Sequence, residues 1–298
     1  MVRTLAAGFF ALLALPALAA VNVFATVPEW AALARELGGD KVKVYAATHA
    51  LQDPHRIEAR PSLLAQARSA QLVVATGADL EIGWLPVVLR DSGNAAIQPG
   101  QPGYFEAARW VTPLEIPASL DRAQGDVHPE GNPHIQLDPR NILKVAAALT
   151  ARLAQIDPAN AKAYQANGQG FADRWQAAMV RWERQGAVLK GVPVLVHHRS
   201  FSYLLTWLGL RETGTLEPKP GVEPTSGQLS EILARQQSQP AKMVLRAAYQ
   251  NDGPSQWIAG RAKIPAVVLP FTVGGSKEAQ DLFALYDETL ARLLEAVR

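Results

Sequence analysis

Apolar residues along this chain alternate between short continuous runs and stretches with a helical period. Near the N-terminus, VNVFA, KVKVYAAT and QLVVATG are short runs typical of strands, and the last is continuous enough for a strand buried on both faces. Between them, EWAALARELGG and RPSLLAQARSA place their apolar residues on one helical face. Strands that alternate with helices at this spacing predict a parallel sheet covered by helices.

The middle of the chain has a different pattern. From PRNILKVAAALTARLAQID onward the composition is helical almost without interruption, and the pair Asp157 and Pro158 starts a second helix afresh. A helix from Pro158 to Gln185 would measure roughly 42 Å at the usual rise per residue, which exceeds the width of a small domain. Such a helix is suited to span two lobes.

Beyond this helix the alternation returns. VPVLVHH, AKMVLRAA and IPAVVLP predict strands, whereas FSYLLTWLGL, SGQLSEILARQQSQ (with Ser226 as a candidate N-cap) and SKEAQDLFALYDETLARLLEAV predict helices. The chain is therefore predicted to be α/β, with two lobes of mainly parallel sheet joined by one long rigid helix. We expect an N-terminal lobe at residues 21–142, a linking helical region at 143–185 and a C-terminal lobe at 186–298.

The first twenty residues differ from the rest. MVRTLAAGFFALLALPALAA contains Arg3, an apolar run from Leu5 to Leu15, and small residues at Ala17 and Ala19. This arrangement is typical of a cleaved secretory signal, because the apolar run is too short to span a bilayer. The alternative is an N-terminal membrane anchor. We expect a signal peptide at residues 1–20 and a soluble periplasmic protein.

Composition excludes several classes of protein and of site. The net charge of +2 and the lack of a dense basic run argue against nucleic acid as a partner. The chain has no cysteine, so it forms no disulfide and offers no thiol for a lipid anchor at the cleavage site. We therefore expect that it is not a lipoprotein. Any metal must be held by nitrogen and oxygen atoms.

Three of the six histidines, namely His55, His134 and His198, lie where a predicted strand gives way to a loop or helix. The carboxyl ends of parallel strands are where ligands bind in open α/β sheets, and imidazole is the commonest nitrogen ligand of zinc. A proline before His55 and before His134 restricts the backbone at both histidines. One such histidine is usually an ordinary surface residue, but three in equivalent positions indicate a shared site.

Four segments, in order, resemble the motifs of one family. DPHRIEARPS, NPHIQLDPRN, VHHRSFSYLLTWLGL and EPKPGVEPTSGQLSEI are similar to segments of the periplasmic zinc- and manganese-binding proteins of ABC importers (ZnuA-like, the cluster A-I solute-binding proteins). The resemblance runs from Val21 nearly to the C-terminus. It implies two α/β lobes joined by one rigid helix, a metal site in the cleft between them, and delivery of the metal to a membrane permease.

The same resemblance implies His55, His134 and His198 as the nitrogen ligands of the metal. His198 is in register with the family's histidine because Phe201 follows it at the family spacing, so His197 is expected to point to the opposite face of the strand. Manganese-binding relatives usually have a carboxylate at this third position. A histidine there favours Zn²⁺ over Mn²⁺.

The fourth ligand is less clearly marked. In much of the family an aspartate ahead of the terminal helix closes the site, and this implies Asp281, with Gln280 as the result of a different alignment of the helix. Asp281 could instead cap that helix.

Two further side chains near the motifs could serve the metal. Many zinc-binding relatives carry a long loop rich in histidine and acid before the second histidine motif, but here DRAQGDVHPEGNPH is short. We expect its His128 to lie in a solvated turn, with weak recruitment of metal as the alternative. Glu58, three residues after His55, either orients an imidazole or is a surface charge.

The expected function is a non-enzymatic, monomeric receptor that captures Zn²⁺ and delivers it to the permease of a zinc ABC importer. A manganese-preferring receptor of the same family is one alternative. Another is a secreted zinc hydrolase with Glu58 or Glu130 as general base, which the absence of a His-Glu-x-x-His helix argues against. An organic ligand is not expected, because the seven tryptophans lie mostly in helical contexts.

Overall fold

The computed structural model describes residues 20–118, 125 and 127–298. The predicted signal peptide therefore lies outside the described residues, except for its last position. Part of the loop DRAQGDVHPEGNPH also lies outside them, although His128 is described. Within the described ranges, no helix is both long and apolar enough to cross a bilayer.

The described residues form two sheets, each of four strands and each entirely parallel. The N-terminal sheet has the order β2-β1-β3-β4, and the C-terminal sheet has the order β6-β5-β7-β8. The strands are β1 Val21–Ala25, β2 Val42–Ala46, β3 Leu72–Ala75, β4 Tyr104–Glu106, β5 Pro193–Val196, β6 Arg211–Thr215, β7 Met243–Ala247 and β8 Ala266–Leu269. The prediction of two parallel α/β lobes is confirmed.

Helices follow or precede these strands. They are α1 Pro28–Gly38, α2 Pro61–Ser69, α3 Leu85–Ser92, α4 Pro139–Ile156, α5 Ala161–Gly186, α6 Ser202–Leu208, α7 Ser226–Arg235, α8 Gly253–Ala262 and α9 Leu282–Ala296. The hydrophobic pattern missed α3, α8, the three-residue strand β4 and the polar strand β6. It missed β6 because RETGT contains no apolar residue to mark a strand.

The long helix α5 connects the two lobes. The predicted start at Pro158 is instead a short 3₁₀ turn, and α5 itself has 26 residues, or about 39 Å. It packs against α1 of the N-terminal lobe and against α9 of the C-terminal lobe. Trp175 and Trp182 on α5 are fully buried, with ring centroids 5.2 Å and 4.8 Å from that of Tyr286 on α9.

One cluster of buried apolar residues extends from the N-terminal sheet through α4 and α5 to the C-terminal sheet. Two smaller clusters pack α2 and α3 on the N-terminal sheet, and α7 and α8 on the C-terminal sheet. Because the largest cluster is continuous between the sheets, the boundaries that we placed at residues 142 and 185 stay a prediction.

Candidate metal centre

Three histidines from separate parts of the chain lie together between the lobes. His55 follows β2, His134 precedes α4, and His198 follows β5. Their ring centroids are 5.2 Å apart for His55 and His134, 5.5 Å for His134 and His198, and 6.2 Å for His55 and His198. The structure thus brings together the three histidines that the sequence singled out.

These separations are close to what one ion requires. Zinc–nitrogen bonds of about 2.1 Å in a tetrahedral site hold ring centroids roughly 5 Å apart. As the side chains stand, no group of three or more His, Cys, Asp or Glu residues in the described ranges is arranged to hold a metal ion. The differences from the ideal separations are about 1 Å or less, within the reach of small ring movements.

The Asp53-Pro54-His55 segment is fixed by its own aspartate. One carboxylate oxygen of Asp53 accepts the backbone N–H of His55 at 3.0 Å and lies 2.8 Å from Nδ1 of the same residue. The Pro54 carbonyl accepts a hydrogen bond from the buried indole of Trp84 at 3.0 Å. Burial alone would raise the pKa of the Asp53 carboxyl, but the hydrogen bond and charge of His55 outweigh it, and the pKa lies below its ordinary value.

His134 is held through the residue two positions before it. The Asn132 side chain accepts the backbone N–H of His134 at 2.9 Å, and its amide donates to Glu115 and to the Arg199 carbonyl, both at 2.8 Å. The Tyr203 hydroxyl donates to the Asn132 carbonyl at 2.9 Å. Asn132 therefore ties the loop that carries His134 to the segment that follows His198.

His198 is oriented by a carboxylate from the loop after β6. Its Nδ1 lies 2.7 Å from Oε2 of Glu217, and that oxygen also accepts the Gly221 N–H at 2.8 Å. The sequence reasoning gave Glu217 no role, although it stands at the start of the quoted EPKPGVEPTSGQLSEI segment. A carboxylate that accepts from the second nitrogen of a ligating imidazole is a common feature of zinc sites.

The strongest sign of a missing ligand is a set of unpaired nitrogen atoms. Among the described residues, Nε2 of His55 and both ring nitrogens of His134 are buried and have no hydrogen-bond partner. A buried polar atom without a partner costs about 1–3 kcal/mol, which a bound cation would remove. Burial, together with the charges of His55, His198 and His128, also holds the pKa of His134 well below its ordinary value. His134 therefore stays neutral, the form that binds metal.

His128 corrects an expectation. We expected a solvated turn, yet the centroid of the His128 ring lies 5.3 Å from that of His55 and 6.5 Å from that of His134. Both of its ring nitrogens are buried. The hydrophobic pattern could not show this, because it does not report which way a polar loop folds.

Asp281, the predicted fourth ligand, caps α9. Its carboxylate accepts the backbone N–H of Ala284 at 2.8 Å, and the side chain is exposed. The alternative Gln280 is also exposed and donates to the Ser276 carbonyl. Within the described part of the chain, no recorded contact joins either residue to a histidine of the cluster.

Two expectations about neighbouring residues are wrong. Glu58 is exposed, and Asp53 is the carboxylate that contacts His55. His197 does not turn to the opposite face from His198, because Nε2 of His197 lies 3.8 Å from the same Glu217 carboxylate. Strand β5 ends at Val196, so the strict alternation of strand side chains no longer applies at residues 197 and 198.

Two cavities open beside the histidines. One of about 390 Å³ is lined by His128, His134 and His198, and another of about 190 Å³ by Asp53, His55 and His198. A third of about 340 Å³, in the N-terminal lobe, has none of these histidines in its lining. We therefore assign the metal-related chemistry to the first two.

Comparison with known proteins gives the same picture. The family model for the periplasmic zinc-uptake complex component A, ZnuA, matches residues 23–296. A crystal structure of ZnuA superposes with a TM-score of 0.77 at 22% identity and covers 94% of this chain and 100% of that one. The fold with two parallel-sheet lobes and a long helix is shared with it.

Two streptococcal lipoproteins are also similar. The metal ABC transporter substrate-binding lipoprotein ScbA of Streptococcus cristatus is 25% identical over 157 residues, 53% of this chain and 48% of that protein. The manganese ABC transporter substrate-binding lipoprotein PsaA of Streptococcus pneumoniae is 20% identical over 256 residues, 84% of this chain and 79% of that protein. The match thus spans about half the length of ScbA.

Proposed function

This chain belongs to the ZnuA family of periplasmic zinc-uptake components, and from that membership we propose that it captures Zn²⁺ as the cargo of an ABC importer. The family consists of metal-binding solute-binding proteins that work outside the cytoplasm with an ABC permease. We propose that His55, His134 and His198 hold the ion, and that the protein acts as a receptor without catalysing a reaction.

One observation carries this proposal. Nε2 of His55 and both ring nitrogens of His134 are buried without a hydrogen-bond partner in the described residues, in a cluster whose ring centroids lie 5.2–6.2 Å apart. A bound cation removes the cost of these unpaired atoms. An organic ligand would have to reach the same atoms through cavities of only about 390 Å³ and 190 Å³.

For the fourth donor we propose His128 in place of Asp281. The proximity of the His128 ring to His55 supports this choice, as does the exposed position of Asp281 at the start of α9. Four nitrogen donors would favour Zn²⁺, because Mn²⁺ prefers oxygen ligands. PsaA is a manganese protein by name, but it is 20% identical to this chain and its preference need not apply here.

The partner and the compartment follow from the same proposal. We propose a monomer that works in the periplasm after removal of a signal peptide at residues 1–20, and that delivers zinc to the permease of a zinc importer. With no cysteine in the chain, no thiol is present for the lipid anchor that ScbA and PsaA carry by name. Neither nucleic acid nor an organic molecule is proposed as a ligand.

The first test is metal analysis of protein purified without added metal, followed by competition titration with a zinc chelator. We expect about one equivalent of zinc per chain. His55→Ala, His134→Ala and His198→Ala should each lower zinc affinity by more than about 100-fold, beyond the range for loss of an outer hydrogen bond. His49→Ala and His197→Ala are the matched controls. Equal losses in the controls would contradict the site.

A second test addresses the fourth donor and the choice of metal. His128→Ala should lower zinc affinity but change the weaker manganese affinity little, because an imidazole is lost and Mn²⁺ prefers oxygen donors. The measurement is parallel titration of both ions on wild type and variant. An unchanged zinc affinity would remove His128 from the ligand set and leave the three-histidine site intact.

A further inference from the structure

A tight turn at residues 219–222 lies at the mouth of the cleft. The Val222 N–H donates to the Lys219 carbonyl at 3.0 Å, and the two residues form an isolated antiparallel bridge. Gly221 has a φ of 76°, and Pro220 precedes it, which is the residue pair that a type II turn requires. Pro220 lines the larger cavity beside the histidines, and Gly221 lines the smaller one. The turn therefore separates the two openings to the site.

The C-terminal lobe holds this turn through Glu217. Oε2 of Glu217 accepts the N–H of Gly221 at 2.8 Å and lies 2.7 Å from Nδ1 of His198. One carboxylate oxygen thus fixes both the position of the turn and the orientation of a proposed zinc ligand. A rotation of the His198 ring disturbs the acceptor on which the turn depends.

The N-terminal lobe holds the same turn through Arg56. Its guanidinium Nη2 donates to the Gly221 carbonyl at 3.3 Å, across 165 positions of sequence. Arg56 directly follows His55, another proposed ligand. Gly221 therefore donates to a residue of one lobe and accepts from a residue of the other, and each of those residues is in direct contact with, or next to, a histidine of the site.

We propose that Arg56 and Glu217 are positioning residues that hold the turn at residues 219–222 across the cleft when metal is bound, so that the turn sets the rate of metal release. This inference rests on the proposed function. A bound ion fixes His55 and His198 relative to each other, and thereby keeps the two anchors of the turn at the spacing that both hydrogen bonds need. Without the ion, the exposed bond from Arg56 exchanges readily with water.

The test uses the zinc-loaded full protein and three variants. Arg56→Met removes the bond to the turn, Arg56→Lys keeps a cationic donor, and Arg60→Met removes an exposed arginine from the same loop as a control. Zinc dissociation is measured by stopped-flow with excess chelator, and association with a fluorescent zinc indicator. Arg56→Met should release zinc about 3- to 10-fold faster, as expected for loss of one hydrogen bond from a charged donor, with an unchanged association rate.

Arg56→Lys should restore much of the slow release, and Arg60→Met should behave as wild type. Hydrogen exchange gives an independent measurement: zinc should slow exchange at the Gly221 and Val222 amides in wild type, and less so in Arg56→Met. The melting temperature of metal-free Arg56→Met should match that of wild type, because the side chain is exposed.

Failure of this inference differs from failure of the proposed function. If wild type binds no zinc, the proposed function is wrong. If wild type binds zinc tightly but Arg56→Met releases it at the wild-type rate, the turn does not control release. An equal acceleration in Arg60→Met, or exchange at residues 221 and 222 that zinc leaves unchanged, would also overturn the role assigned to Arg56.

Discussion

At the scale of single residues, the histidines depend on the carboxylates that accept from them. Asp53 contacts Nδ1 of His55 at 2.8 Å, and Glu217 contacts Nδ1 of His198 at 2.7 Å. Each carboxylate fixes which ring nitrogen carries the proton and leaves Nε2 for a metal. In contrast, no side chain among the described residues pairs with the ring of His134, which burial keeps neutral.

Asp53→Asn should lower zinc affinity by about 10–100-fold while the protein stays folded, because the amide polarises the His55 ring less than a carboxylate does. Calorimetric titration with zinc measures the effect. Glu58→Gln is the control, since it removes a nearby carboxylate that is exposed. A similar loss in the control would mean that net charge near the cleft, and not the contact with His55, sets the affinity.

A second prediction at this scale concerns Glu29, a carboxyl at 2% exposure that accepts from the Thr272 hydroxyl. Burial raises its pKa from 4.5 to about 7, against the opposing effect of the Thr272 hydrogen bond. The native state then binds more protons than the unfolded state between these two values, so stability is highest below pH 4.5 and falls as pH rises through 7.

Glu29→Gln removes this dependence. The metal-free variant should exceed wild type in free energy of unfolding by up to roughly 3 kcal/mol at pH 8, and the difference should shrink toward pH 5. Urea unfolding at a series of pH values measures this. A difference that is the same at pH 5 and pH 8 would show that Glu29 does not titrate in this range.

At the scale of elements, α9 shows how one residue can fit two roles. Asp281 stands directly before the helix, and its carboxylate accepts from Ala284, as an N-cap does. The same residue matches the position where relatives have a metal-binding carboxylate. Sequence spacing alone does not separate these roles, because both require an acidic residue at the start of the helix.

Asp281→Ala should therefore lower the free energy of unfolding by about 1 kcal/mol, the usual loss for an N-cap, and leave zinc affinity unchanged. Chemical unfolding and zinc titration on the same preparation give both values. Gln280→Ala should change neither. A fall of tenfold or more in zinc affinity for Asp281→Ala would return this carboxylate to the ligand set.

At the scale of the whole molecule, the lobes share a single packed interior. The largest buried cluster extends from the N-terminal sheet through α4 and α5 to the C-terminal sheet, and the 26-residue α5 packs on helices of both lobes. A hinge motion between the lobes would have to break this packing and bend a long helix. Local loop movement is the cheaper route for a single ion.

We therefore expect nearly the same radius of gyration for the metal-free and zinc-bound forms in small-angle scattering. Hydrogen exchange should slow on zinc binding at residues 127–133 and 217–222, the described loops beside the histidines. A marked compaction with zinc, without protection of these loops, would mean that the lobes hinge and that α5 is not a rigid connection.

The sequence by itself determined the class of fold and the three central histidines. Continuous apolar runs and helical periods follow directly from which faces are buried, and motif register distinguished His198 from His197. These features are local, so a single chain displays them. Elements without an apolar signature, such as the polar strand β6, left no such mark.

Only the tertiary structure decided which polar side chains meet. Asp53 rather than Glu58 contacts His55, Glu217 reaches His198 from 19 positions away, and His128 lies beside the cluster. The physical reason is that a polar loop residue has no preferred side of an element, so its partners depend on how distant segments pack. The crossing of the cleft by Arg56 and Gly221, 165 positions apart, is set by the same packing.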